Sequence, residues 1–217
     1  MIVNLSEKHS LICNWVSELR NISVHNDRMR FRRNLERIGE VAAYEISKLL
    51  PWKEVEIQTP LGTHKSMVLE EQPIVATILR AGLAMHHGVL SYLDKADNAF
   101  VSAFRRHNAA GGFDIILDYV SSPSIENRIL IISDPMLATG TSLAKTIVAL
   151  KKLGNPSQIY IVAAIASRQG IAYLQKVAGE DVHLWCADID DVLNENGYIV
   201  PGLGDAGDLA FGEKLQS

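Results

Sequence analysis

The chain has 217 residues, 47% of them hydrophobic and 21% charged, so it is long enough to bury a substantial core and too apolar to be disordered throughout. Its formal net charge of −4 lacks the basic excess of a general nucleic-acid binder. No apolar run approaches the roughly 20 residues that a membrane helix needs. Cys13 and Cys186 are far apart and match no metal-ligand spacing, so both are expected to be reduced, buried thiols of a cytoplasmic protein. Met1 to Trp15 carries Glu7, Lys8 and His9, and lacks the apolar stretch of a signal peptide.

In chain order, the N-terminal third reads as helical and charged. Between Asp27 and Leu50, the residues Phe31, Leu35, Ile38, Ala42 and Ile46 recur at spacings of three and four and form one apolar face. Arg30, Arg32, Arg33, Glu36 and Arg37 lie elsewhere on that helix, and Pro51 closes it. Val55-Glu56-Ile57 and Met67-Val68-Leu69 flank the turn-prone Pro60-Leu61-Gly62 and predict a hairpin.

From Pro73 short apolar runs alternate with amphipathic stretches. The runs are Ile74 to Leu79, Phe100 to Phe104, Arg128 to Ser133, Ile159 to Ile165 and Val182 to Ala187. Leu143 to Leu153 and Ile171 to Ala178 read as helices between them. This alternation predicts βαβ units and a mainly parallel sheet flanked by helices, an α/β fold. Phe113 to Tyr119 breaks the rhythm and reads as an excursion strand, preceded by a mobile Ala109-Ala110-Gly111-Gly112. The Gly- and Asp-rich tail from Gly197 to Gly212 reads as an ordered loop with a function.

The segment Ile129 to Ser142 carries the most chemistry. An apolar strand ends at Asp134, a loop containing Thr139-Gly140-Thr141-Ser142 follows, and a helix then begins that stops at Gly154. A helix start presents unpaired N–H groups and positive potential, and glycine lets a phosphate approach the backbone. An acid at a strand end lies where open α/β sheets bind ligands, and its carboxylate suits a ribose diol. The pattern is neither a Walker A loop nor a dinucleotide fingerprint.

An apolar strand, an acid and then Thr-Gly-[Gly/Thr]-[Ser/Thr] resembles the phosphoribosyl pyrophosphate (PRPP) signature of type I phosphoribosyltransferases. The fuller Asp134-Pro135-Met136-Leu137-Ala138-Thr139-Gly140 resembles the uracil phosphoribosyltransferase branch, as do Ile78-Leu79-Arg80-Ala81-Gly82-Leu83 and Gly197-Tyr198-Ile199-Val200-Pro201-Gly202-Leu203-Gly204-Asp205-Ala206-Gly207-Asp208. The resemblance spans nearly the whole chain. It implies a single type I phosphoribosyltransferase domain over 1–217, with a helical segment 1–50, a core of about 70–190 and a uracil-binding segment 197–212. A hood and a flexible β arm would complete the fold.

The implied activity is transfer of phosphoribosyl from PRPP to uracil, giving UMP and pyrophosphate in pyrimidine salvage. By resemblance, Asp134, Pro135, Met136, Leu137, Ala138, Thr139, Gly140, Thr141 and Ser142 bind PRPP, with Asp134 on the ribose hydroxyls. Arg80 and Arg105 bind the pyrophosphate side and serve catalysis, together with Asp205, which also lies against PRPP. Ile199, Gly204, Asp205 and Ala206 form the uracil site. Mg²⁺ would be bound mainly through PRPP, without a dedicated protein cage. The substrates would be the small molecules uracil and PRPP, with no nucleic acid and no membrane, in a cytoplasmic homodimer or larger symmetric oligomer.

The sequence departs from the family pattern in places. Arg105 precedes Arg106-His107-Asn108-Ala109 where the family has Asn-Glu-Glu-Thr. Ala166-Ser167-Arg168-Gln169-Gly170 stands where Ala-Ala-Pro-Glu-Gly is usual, Leu209 stands where a basic residue commonly follows Gly-Asp, and Gly212-Glu213 replaces a terminal Gly-Thr. Two other readings therefore stay open: a phosphoribosyltransferase for a different base, against which the C-terminal segment argues, and a non-catalytic PRPP or nucleotide sensor regulating pyrimidine genes. No histidine is assigned to catalysis, and the residues identify no general base.

Overall fold

The computed structural model describes residues 1–107, 113–179 and 182–215, without the side chains of 104–107 and 113–115. The chain opens with strand β1 (Ile2–Asn4) and helices α1 (Leu11–Arg20) and α2 (Arg28–Ser47). Ser10 and Asp27 start these helices by accepting the amide hydrogens of Ile12 and Arg30. The apolar stripe read from the sequence is the buried face of α2, since Phe31, Leu35, Ile38, Ala42 and Ile46 are all in the core. Strands β2 (Trp52–Thr59) and β3 (Gly62–Leu69) form the expected antiparallel hairpin about Pro60-Leu61.

The remaining elements alternate as the apolar runs predict. They are β4 (Ile74–Leu79), α3 (Leu83–Leu90), β5 (Asp97–His107), β6 (Phe113–Ser121), β7 (Ile129–Ser133), β8 (Met136–Leu137), α4 (Thr141–Leu150), β9 (Gln158–Ser167), α5 (Arg168–Ala178) and β10 (Val182–Asp190). A small hairpin, β11 (Val192–Leu193) with β12 (Ile199–Val200), and helix α6 (Ala206–Phe211) end the chain.

Among the described residues the main sheet has eight strands in the order β1-β10-β9-β7-β4-β5-β6, with β8 pairing β9. Every pairing is parallel except that of the excursion strand β6, which runs antiparallel to β5. Successive strand residues point to opposite faces. Val75, Ile131 and Val162 therefore pack on one side, against α1, α2, α3 and α6. Ala76, Ile132 and Ile161 pack on the other, against α4 and α5. Burial on both faces is why these strands read as unbroken apolar runs.

The connections leave the sheet centre in opposite directions. From β4 the chain goes through α3 to β5, and from β7 it goes through α4 to β9. The carboxyl ends of β4 and β7, which are paired neighbours, thus form a topological switch point where open α/β folds bind ligands.

Some expectations need correction. The helical N-terminus contains β1, a strand too short to announce itself and completed only by its parallel partner β10. The tail is ordered, but it holds the β11–β12 hairpin and α6 and is not a plain loop. Both cysteines are free thiols, yet only Cys186 is buried; Cys13, on α1, is partly exposed. The segment Ala109 to Gly112 lies outside the described residues. Among the described residues no helix is long and apolar enough to cross a membrane.

Candidate functional site

Strand β7 is apolar and buried up to Ser133, and the chain leaves it at Asp134. Gly140 then takes a left-handed conformation, φ +78°, directly before α4. The helical ladder begins with the Ala144 amide on the Gly140 carbonyl at 2.9 Å, so the Ser142 and Leu143 amides precede it. The Thr139 and Thr141 hydroxyls are hydrogen-bonded to each other at 3.1 Å. A glycine turn, two hydroxyls and the positive end of a helix together suit a phosphate.

This loop is held from behind by α5. A Cβ on Gly170 would lie 2.1 Å from the Ala138 carbonyl oxygen, and one on Gly140 would lie 2.9 Å from the Gly170 carbonyl oxygen. The buried Ser167 hydroxyl donates to the Ala138 carbonyl at 2.6 Å and accepts the Gly170 amide hydrogen at 2.8 Å. Ser167 thus caps α5 and fixes the loop with one side chain.

Asp134 is only 8% exposed. Its carboxylate accepts the Met136 amide hydrogen at 3.3 Å, while burial pushes its pKa up to about 7. A carboxylate so short of donors is well suited to two sugar hydroxyls.

The second loop leaves β4. Gly82 must be glycine, because a Cβ would meet the Thr77 hydroxyl at 2.3 Å and the Ser133 carbonyl oxygen at 2.5 Å. That contact seats the Arg80–Gly82 turn beside the end of β7. Arg80 is 43% exposed at its side chain and pairs with Asp208 at 2.9 Å, also donating to the Gly212 carbonyl at 3.2 Å.

The third element is the C-terminal segment. Ile199 and Leu203 are buried, and the Val200–Pro201 peptide is cis. Asp205 caps α6 by accepting the Asp208 amide hydrogen at 3.0 Å. Burial alone would raise the Asp205 carboxyl, but the Lys214 ammonium at 2.7 Å and the Asp208 and Gly207 amides outweigh it and hold the group below its ordinary value. The Cβ position of Gly207 lies 3.8 Å from the Ala81 Cβ, so this segment lies against the Arg80 loop. It is anchored from the N-terminal side: Arg20 donates to the Gly202 carbonyl at 2.9 Å and pairs with Asp188 and Asp190, and Arg32 donates to the Ala210 carbonyl at 2.6 Å.

The geometry therefore gathers Arg80, the loop from Asp134 to Ser142, and the segment from Ile199 to Ala206 around one edge of the sheet. A family model described as uracil phosphoribosyltransferase matches residues 6–213. The chain belongs to the uracil phosphoribosyltransferase family. A uracil phosphoribosyltransferase of Porphyromonas gingivalis is 50% identical over 214 residues, covering 99% of each chain. One from Methanococcus vannielii is 39% identical over 93% of this chain and 86% of its own. The solved structure of the AQ2163 protein from Aquifex aeolicus is similar over 100% of both chains, with a TM-score of 0.87 at 31% identity. The mainly parallel, helix-flanked α/β fold expected from the resemblance is the one observed. Membership makes this chain an enzyme of the phosphoribosyltransferase, and so glycosyltransferase, class.

Within this uracil phosphoribosyltransferase fold, Arg105 lies on β5 and its side chain is outside the described residues. Sequence reasoning missed several residues that shape the site. Lys214 gave no signal, because it follows the last motif. Asp208 was noted only as part of a motif, and its pairing with Arg80 spans 128 positions. Ser167 was noticed only as a departure from the family, and a serine just before a helical pattern is the signal that identifies it as a cap. Among the described residues no group of three or more His, Cys, Asp or Glu side chains is placed to hold a metal.

Proposed function

We propose that this protein converts uracil and PRPP to UMP and pyrophosphate, with the site residues acting as the sequence suggests. The observation that carries the reading is the meeting of three loops at the switch point: the Arg80 turn packs on the Ser133 end of the phosphate loop and is salt-bridged to the C-terminal segment through Asp208.

The reading assigns the 5-phosphate to the amides of the loop and of the first turn of α4. Asp134 accepts the ribose 2′- and 3′-hydroxyls, and Arg80, with Arg105, takes the pyrophosphate through charge-assisted hydrogen bonds. Uracil lies against Ile199 and the backbone of Gly204 to Ala206. Fixed backbone donors and acceptors there reject cytosine, whose amino group reverses one hydrogen bond.

In the reaction the bond from ribose C1 to the pyrophosphate oxygen breaks, and its electron pair leaves with pyrophosphate. The bond from C1 to uracil N1 forms, and N1 loses its proton. The sugar passes through an oxocarbenium-like state, so the chain's main task is to stabilise charge gathering on the leaving group. Asp205, held ionised by Lys214, is a weak base; its role is to shape the α6 end of the uracil turn. Mg²⁺ would enter with PRPP and share the charge of the pyrophosphate. On the protein side, the nearby Asp205 and Asp208 carboxylates are already paired with Lys214 and Arg80, so PRPP oxygens and water would supply most of the ion's ligands. We extend the reading to a cytoplasmic enzyme that works as a homodimer or larger symmetric oligomer, on family resemblance.

The test mixes the protein with Mg²⁺, PRPP and labelled uracil, cytosine or hypoxanthine. UMP formed from uracil, with no product from the other bases, is the expected result. Binding of PRPP without turnover of any base would instead favour a sensor.

A further inference from the structure

Two cations share one carboxylate oxygen where the loops meet. Asp208 Oδ1 accepts from Arg80 Nη2 at 2.9 Å and from Lys214 Nζ at 3.3 Å. The same ammonium reaches Asp205 Oδ2 at 2.7 Å. Lys214 is therefore the hub of a chain running Arg80–Asp208–Lys214–Asp205, with two positive and two negative charges. Its side chain is 34% exposed, so the ammonium is neither free in water nor locked in the core.

We propose that Lys214 is a positioning residue for PRPP: it neutralises Asp208 and Asp205 so that Arg80 can exchange its carboxylate partner for the pyrophosphate. This rests on the assignment of Arg80 to pyrophosphate given above.

Before PRPP arrives, Asp208 holds the guanidinium against the C-terminal segment, with the Gly212 carbonyl as a second acceptor at 3.2 Å. A pyrophosphate must compete with that carboxylate for the same donors. When Arg80 leaves, Asp208 keeps a counter-ion because Lys214 is already bonded to the same oxygen. Without Lys214 the exchange would strand Asp208 and leave Asp205 unpaired, two negative charges beside an incoming polyanion. Lys214 thus lowers the cost of releasing Arg80 and removes repulsion, with no need to touch the substrate.

The test compares steady-state kinetics of Lys214→Met, Lys214→Arg, Asp208→Asn, the Asp208→Asn/Lys214→Met double variant, and Arg80→Gln. Thermal unfolding of each variant checks that it is folded. Lys214→Met should raise KM for PRPP about fivefold, the scale of a partly exposed ion pair, with a smaller effect on kcat and on KM for uracil. Lys214→Arg should restore KM for PRPP. The double variant should recover most of the loss, because a neutral amide in place of the Asp208 carboxylate no longer holds Arg80 or needs a counter-ion.

A Lys214→Met enzyme with unchanged KM for PRPP, beside an Arg80→Gln enzyme whose KM rises, would overturn the role of Lys214 and leave that of Arg80 standing. A double variant as impaired as Lys214→Met alone would also overturn it, by showing that the ammonium does not act through Asp208. Arg80→Gln with unchanged KM for PRPP would instead sink the assignment of Arg80, and this inference with it.

Discussion

At Asp134 burial alters protonation, which bears on the ligand role proposed for it. Burial raises its carboxyl to about 7, above the value it has in an unfolded chain. The folded protein therefore holds this proton more tightly than the unfolded one. The resulting stability is fully present below the ordinary carboxyl range and is lost as pH rises through about 7. We expect Asp134→Asn to flatten the decline in melting temperature of the unliganded protein between about pH 5 and about pH 8. The same variant should bind PRPP weakly at every pH, because an amide cannot accept from both ribose hydroxyls as a carboxylate does. In the native protein, hydroxyls donating to the carboxylate favour its ionised form, so PRPP binding should release protons near neutral pH. Calorimetry in buffers of different ionisation enthalpy reads that release, and an Asp134→Asn protein that releases as many protons would contradict the assignment.

At the scale of elements, α5 decides the shape of the loop proposed to bind phosphate. The Gly170 Cα faces the Ala138 carbonyl so closely that an added methyl carbon would lie 2.1 Å from its oxygen. Neither neighbour is a flexible side-chain end, so one backbone must move. Gly170→Ala should cost about 1–3 kcal/mol, as overpacking generally does. For a chain of this size that is a fall in melting temperature of roughly 2–4 °C per kcal/mol. KM for PRPP should rise more than KM for uracil, since the displaced atoms belong to the phosphate loop. Equal effects on both substrates would show that α5 supports the site only globally. Ser167 works in the same place by a different means, tying the start of α5 to the Ala138 carbonyl with a 2.6 Å hydrogen bond. The sequence signalled this helix, but not that Ser167 caps it and also holds a loop 29 positions earlier.

At the scale of the whole molecule, the C-terminal segment proposed to bind the base is held by a helix from the other end of the chain. Arg20 pairs with Asp188 and Asp190 and donates to the Gly202 carbonyl, while Asp190 accepts the Gly202 amide hydrogen at 3.2 Å. Asp190→Ala would leave both the Gly202 amide and much of the Arg20 charge without a partner. The side chains are only 19% and 7% exposed, so the loss should be about 2–4 kcal/mol, near the range for breaking a buried pair. It should raise KM for uracil more than KM for PRPP, because the side-chain hydrogen bonds lost are those to the Gly202 amide and Arg20. A larger effect on PRPP would show that the two sites are not separately supported.

The α/β class, the hairpin, the buried stripe of α2 and the strand–loop–helix unit around Asp134 were legible in the sequence because each is set by neighbours within a few residues. Apolar spacing fixes which face is buried, and an apolar run, an acid and a glycine ahead of a helical pattern mark a strand-to-helix turn. Strand β1, the Ser167 clamp, the Arg20 network and the Arg80–Asp208–Lys214–Asp205 chain were not legible. Each joins residues that only the sheet order and the packing of α6 bring within hydrogen-bond reach. Charge pairing at such separations leaves no period in the chain, so the tertiary structure alone decided which cation meets which carboxylate.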